Sequence, residues 1–183
     1  LNITREFGID GTNVWDLTRA EISGRKQALQ AIECMREFGA EMGLANCTLR
    51  SFGYQIGIRE TRRILCEYNM TRADIMGKAE FEDNIGVYTR FIDGEVISHD
   101  DSRFQLPYRM IVPVKIDNLL VAGRCAGCEK DAVQTIRMMV CCAATGQAAG
   151  TAAALSAIQG IAPRNLSVAC LQEKLRADRM ILA

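Results

Sequence analysis

The run Asn118-Leu119-Leu120-Val121-Ala122-Gly123-Arg124 ends an apolar stretch on a glycine and a guanidinium. A long Ala/Gly-rich stretch follows and closes through Gly146-Gln147-Ala148-Ala149-Gly150. The pattern predicts a buried strand over 118–122, a turn at Gly123, and a helix over 131–159 that stops at Gly160. Such an arrangement turns backbone N–H groups and the positive end of a helix toward an electron-rich ligand. No G-x-G-x-x-G turn precedes it anywhere in the chain, and neither Gly53-x-x-x-Gly57 nor Gly123-x-x-x-Gly127 makes a phosphate-binding fingerprint.

Other residues could do chemistry. His99, the single histidine, lies in the polar run Ile97-Ser98-His99-Asp100-Asp101. An imidazole there suits proton transfer near neutrality, and suits equally a solvated loop. Tyr108 and Arg109 follow between two prolines as further candidates, against readings as core residue and ion-pair partner. The cluster Arg59-Glu60-Thr61-Arg62-Arg63 can be an ion-pair network or an anion clamp. Cys125-x-x-Cys128, with Cys141 and Cys142 beyond, invites a thiol-redox or metal reading. Adjacent cysteines on a helix diverge by about 100°, which makes joint ligation awkward. Small buried cysteines filling a tight site are the simplest account.

These residues need elements to hold them. A strand is expected over 1–11 and a helix over 16–38, capped by Asp16 or by a Thr18/Glu21 capping box. Strands are expected over 54–58, 63–66 and 84–92, and a helical turn opens at Thr71-Arg72-Ala73-Asp74. Residues 93–105 read as irregular. A last amphipathic helix over 167–180 carries Leu171 and Leu175 on one face.

Composition narrows the classes. The 183 residues carry 22 basic and 22 acidic side chains, so no basic field exists for nucleic acid. Residues 138–163 lack charge and match a bilayer in length, but Ala, Gly, Ser, Thr and Gln dominate them, which predicts a buried helix and no membrane span. The eight cysteines show no disulfide spacing, and no signal-peptide pattern opens the chain. Reduced thiols in a cytoplasmic protein are expected.

The runs Asp16-Leu17-Thr18-Arg19-Ala20-Glu21, Ile56 through Ile64, Leu106-Pro107-Tyr108-Arg109, Asp117 through Cys125, and Ile136 through Gly150 together carry a resemblance. The chain resembles the C-terminal part of FAD-dependent oxidoreductases of the fumarate-reductase-like, glutathione-reductase-type group. The resemblance covers nearly the whole chain, lacks the N-terminal dinucleotide-binding half, and departs at Cys128. It implies a split enzyme, a processed fragment or a truncated chain. It implies FAD as cofactor, contacted by Ala122, Gly123, Arg124, Thr135, Ile136, Arg137, Met138, Gly146 and Gln147. Gly123 would admit close backbone approach, Arg124 would reach ribityl or phosphate oxygens, and the start of the long helix near Thr135–Met138 would face the flavin N1/C2=O side. Gly146, Ala149, Gly150 and Ala153 would let that helix press on the sheet. His99, Arg109 and Tyr108 would be the catalytic residues.

The expected fold is mixed α/β, one unit with a small sheet, an N-terminal helix and a long Ala/Gly helix packed on the sheet. Residues 1–115 would form a substrate or cap-like portion and 116–183 the C-terminal part of the FAD-binding domain. The implied function is hydride transfer between a small organic substrate and flavin N5, in a subunit of a hetero-oligomer whose partner chain carries the missing half. An apolar edge exposed for that partner is expected. The alternatives are a non-catalytic accessory or assembly subunit, and a thiol–disulfide protein using Cys125 and Cys128.

Overall fold

The computed structural model describes residues 3–89 and 103–182. The chain forms two compact units, Leu1–Thr61 and Arg62–Ala183. The boundary drawn at 115/116 from sequence falls inside the second.

The first unit is built on α1, Val14–Phe38. Its N-cap is Asn13, whose side chain accepts from the Trp15 N–H at 2.9 Å. Neither expected cap serves, because both side chains are engaged elsewhere. Thr18 bonds back to the Val14 carbonyl inside the helix, and Asp16 accepts from the Asp10 N–H. The helix stops at Gly39, where a Cβ would sit 2.5 Å from the Met35 carbonyl oxygen. Flanking segments dock on α1 through polar contacts. Glu21 accepts from Ile56 N–H at 2.6 Å and pairs with Arg25, while Gln27 brackets the backbone of Arg5. Ala20 is the one buried apolar residue among those described in this unit. No strand forms at 3–11 or 54–58, since their backbone groups meet side chains of α1 rather than a neighbouring strand.

The second unit holds the core. Strands β1 (Asn84–Thr89) and β2 (Arg103–Pro107) form an antiparallel pair in which Tyr88 faces Phe104 and Val87 faces Gln105. The register shifts between Asn84 and Val87. β2 lies partly in the stretch read as irregular, because its alternation is short and ends on Pro107. The short helix α2, Arg72–Met76, carries the expected capping box between Thr71 and Asp74. Residues 63–66 make only an isolated bridge, Cys66 to Pro113. Proline has no N–H to extend a ladder, so no strand grows there.

The expected strand over 118–122 is absent. Asn118 turns with φ +57°, and Val121 N–H reaches the Ile111 carbonyl at 2.9 Å. No strand among the described residues flanks this segment to complete a ladder. The expected helix over 131–159 is two helices, α3 (Val133–Ile136) and α4 (Met139–Gln159), separated by an extended Met138. The Cys142 thiol donates to the Arg137 carbonyl at 3.2 Å, satisfying an acceptor that the break would orphan.

α4 ends at Gly160 with φ +65°, and its buried stripe is Cys141, Thr145, Ala148, Ala152 and Ser156. That stripe, and not Gly146 and Gly150, faces the core; open space surrounds both glycines. α5, Val168–Ala177, is capped by Ser167 and buries Leu171 and Leu175, as its periodicity predicts. The fold is mixed α/β with α4 packed on the hairpin. No helix among the described residues is long and apolar enough to cross a membrane.

Three substitutions test this packing by chemical denaturation. A Cβ added at Gly86 would lie 3.2 Å from the Ala144 Cβ and 3.4 Å from the Met180 Cε. Gly86→Ala is expected to destabilise the second unit by about 1–3 kcal/mol, and Ala144→Gly in the same chain to restore part of the loss. The Ser156 hydroxyl is buried without a hydrogen-bond partner. Ser156→Ala should therefore be neutral or stabilising, and a loss above about 1 kcal/mol would contradict it.

Candidate functional site

Around the start of α4 the chain brings together several residues that the sequence singled out. Ala122 is extended and leads into a 3-10 turn over Gly123–Cys125. Gly123 has φ +72°, a conformation that glycine alone adopts without strain. Its N–H donates to the Thr145 hydroxyl at 3.0 Å, and that hydroxyl donates in turn to the Cys141 carbonyl at 2.8 Å. The Cys142 thiol packs where a Gly123 side chain would point, 3.7 Å from the Cβ position. Burial raises the Cys142 pKa, while the Arg124 and Arg137 guanidiniums oppose that rise. Arg137 also accepts a local tether, its Nη2 donating to the Gln134 side chain at 2.9 Å.

The helix start sits one step later than the sequence implied. The N–H groups of Thr135, Ile136, Arg137 and Met138 all donate to carbonyls within 132–135. Thr135 and Ile136 are themselves buried. Helix geometry leaves the N–H groups of Met139, Val140 and Cys141 without intrahelical acceptors, and the N-cap residue Met138 makes no side-chain hydrogen bond to them. Met139 is 85% exposed and Val140 58% exposed at this end. Gly146 and Gln147 lie on the exposed side of α4, one to two turns further on. The arrangement therefore offers a left-handed glycine turn, two guanidiniums, an uncapped helix start and an open small-residue face. That donor set suits an anionic, electron-rich ligand of extended shape.

The other candidates stand apart from it. Tyr108 is a core residue whose hydroxyl donates to the Pro163 carbonyl at 2.9 Å. Arg109 forks onto Asp83, with Nε to Oδ2 at 2.9 Å and Nη2 to Oδ1 at 3.2 Å, and its guanidinium lies 5.3 Å from the Tyr68 ring centroid. Both structural alternatives weighed from sequence describe what these two side chains do here. His99 lies outside the described residues. In the arginine cluster, Arg63 donates to the Cys128 carbonyl at 3.1 Å.

All eight cysteines are free thiols. Cys128 is buried, and the half-buried Cys125 donates to the Ala122 carbonyl. Gly127 between them is fixed by crowding, since a Cβ would meet the Tyr68 carbonyl oxygen at 2.5 Å. Among the described residues no group of three or more His, Cys, Asp or Glu side chains could hold a metal ion.

Sequence reasoning missed Thr145 and the Met139–Cys141 N–H donors, and it weighed Cys142 only for thiol-redox or metal chemistry. Thr145 carries no distinguishing signal, since Thr151 stands in the same Ala/Gly-rich run.

The family model for FAD dependent oxidoreductases matches residues 2–175. The chain belongs to this family, and FAD is the family's cofactor. No curated protein and no solved structure matches the chain.

Two measurements probe the site and the core beneath it without a ligand. Gly123→Ala should cost about 1–2 kcal/mol from its positive φ, since the new methyl meets only ordinary contacts. Alkaline titration tests burial. Desolvation pushes Cys66 from 9.0 to about 11, and desolvation pushes Tyr68 and Tyr108 from 10.0 to about 12. The unfolded chain ionises first, so this stability is intact below about pH 9 and lost as pH rises from there to about 12. In a Tyr54→Phe chain, which removes the fully exposed phenol, Tyr68 and Tyr108 ionising only with unfolding would agree; two phenols titrating freely near pH 10 in the folded chain would not.

Proposed function

We propose that this member of the FAD dependent oxidoreductase family is the flavin-contacting part of an oxidoreductase that moves hydride between a small organic substrate and flavin N5. The observation that carries the reading is the meeting of the Gly123 turn, Arg124 and Arg137 with the uncapped start of α4. Ala122, Gly123 and the first N–H groups of α4 would hold the cofactor from the backbone. Arg124 and Arg137 would neutralise its phosphates or the negative charge that reduction places on it. Gly146 and Gln147 would lie along its open side. Bound FAD supplies the hydride chemistry; the protein's task is to bind, orient and stabilise charge.

The dinucleotide-binding half would come from another chain in a hetero-oligomer. Two features support this. The extended segment before Gly123 has no flanking strand among the described residues, and Leu119 on it is 40% exposed. Met139, Val140 and Ile158 on α4 also present large apolar surface. Free thiols throughout favour a reducing, cytoplasmic setting.

Native mass spectrometry with a visible absorbance spectrum, on the assembly from its natural source, tests the reading. A second chain together with the mass and yellow colour of FAD is the expected outcome; a colourless assembly overturns it. Within a coloured assembly, Arg137→Ala should weaken FAD retention by roughly tenfold, about 1.4 kcal/mol.

A further inference from the structure

We infer that Thr145 is the positioning residue of the cofactor turn, its hydroxyl latching Gly123 onto the first turns of α4. The inference rests on the flavin reading above and names the residue that would set the geometry of that site. Thr145 is 1% exposed, so its hydroxyl exchanges nothing with water. A hydroxyl has one proton to donate and lone pairs to accept with. The proton is committed inside the helix, to the Cys141 carbonyl at 2.8 Å with the Cys142 carbonyl at 3.1 Å. Only acceptor capacity is left toward the turn, and the Gly123 N–H fills it at 3.0 Å.

The contact beside this bond is steric. Cys142 Sγ occupies the space in front of Gly123, 3.7 Å from where a Cβ would be. The thiol limits how near the turn can come, and the Thr145 hydroxyl stops it moving away. Arg124 follows Gly123 directly, so the latch also sets where this guanidinium stands relative to Arg137. Thr145 touches no cofactor atom in this account; it acts through Gly123.

Thr145→Val keeps the shape and removes the hydroxyl, and Thr145→Ser keeps the hydroxyl. Amide hydrogen exchange at Gly123 reads the latch directly, and FAD affinity and the flavin band shape of the natural assembly read its consequence. Thr145→Val is expected to speed exchange at Gly123 and to weaken FAD binding, each by roughly tenfold, and to alter the flavin band. Thr145→Ser should stay within about twofold of the wild type, and the amides of Leu171 and Leu175 should keep their protection in both variants. Unchanged exchange at Gly123 in Thr145→Val would show that no latch exists. Faster exchange with FAD affinity and spectrum intact would reduce Thr145 to a packing residue and overturn the inference. A wild-type assembly without flavin would overturn the proposed function and the positioning role with it, while exchange at Gly123 would still report separately on the latch.

Discussion

The close approach of α4 to β1 at Gly86 is the constraint on which the second unit depends. With no side chain at Gly86, the Ala144 methyl comes within ordinary packing distance of the strand. An Ala/Gly helix can lie this near a sheet because neither surface carries bulk. The hairpin is in turn tied to the end of the chain. Asn84 accepts from Gly86 N–H and donates to the Leu182 carbonyl, and Gln172 on α5 donates to the Asn84 and Glu82 carbonyls. The height of α4 above the hairpin, the seat of α5 and the path of the last residues are thus one solution. Because α4 is fixed, its first turn is fixed, and the Gly123 turn is placed by what that first turn presents.

A second polar framework is built on Asp83. Asp83 receives three N–H groups of Arg109, from its backbone, Nε and Nη2, and its carbonyl accepts from Tyr108 N–H at 2.7 Å. The Arg109 guanidinium lies over Tyr68, whose hydroxyl donates to Asp74, the residue that also caps α2. Asp83 is nearly buried, and a carboxylate out of water needs such a set of donors. The demands of that framework explain why Tyr108 and Arg109, attractive as catalytic residues by type, are occupied in holding the fold.

What could be read from the sequence followed from how local each signal is. α1, α5, the Thr71/Asp74 capping box and the Gly160 stop rest on contacts within a few residues, and the pattern exposes them. The break at Met138 carries no glycine or proline; it depends on a thiol four residues later reaching back to Arg137, which periodicity cannot register. The expected strands at 54–58, 63–66 and 118–122 have the right residues but lack neighbours, and a strand is a property of a pair. What the resemblance implied for Gly123 needed only a turn beside a helix, and the structure places the Gly123 turn against α4. Thr145 was not legible, because a single threonine among alanines reads as filler until its partner across the turn is seen.

The first unit's sparse burial has a dynamic consequence. A helix of 25 residues that covers one apolar residue is held by Gln27, Glu21 and their partners near the surface. Hydrogen bonds of that kind each contribute little against water. Opening Leu1–Thr61 therefore takes far less free energy than opening the cluster around Phe104, Met110 and Leu171. The chain is expected to unfold at two cooperative thresholds rather than one, so that a single melting temperature would describe neither.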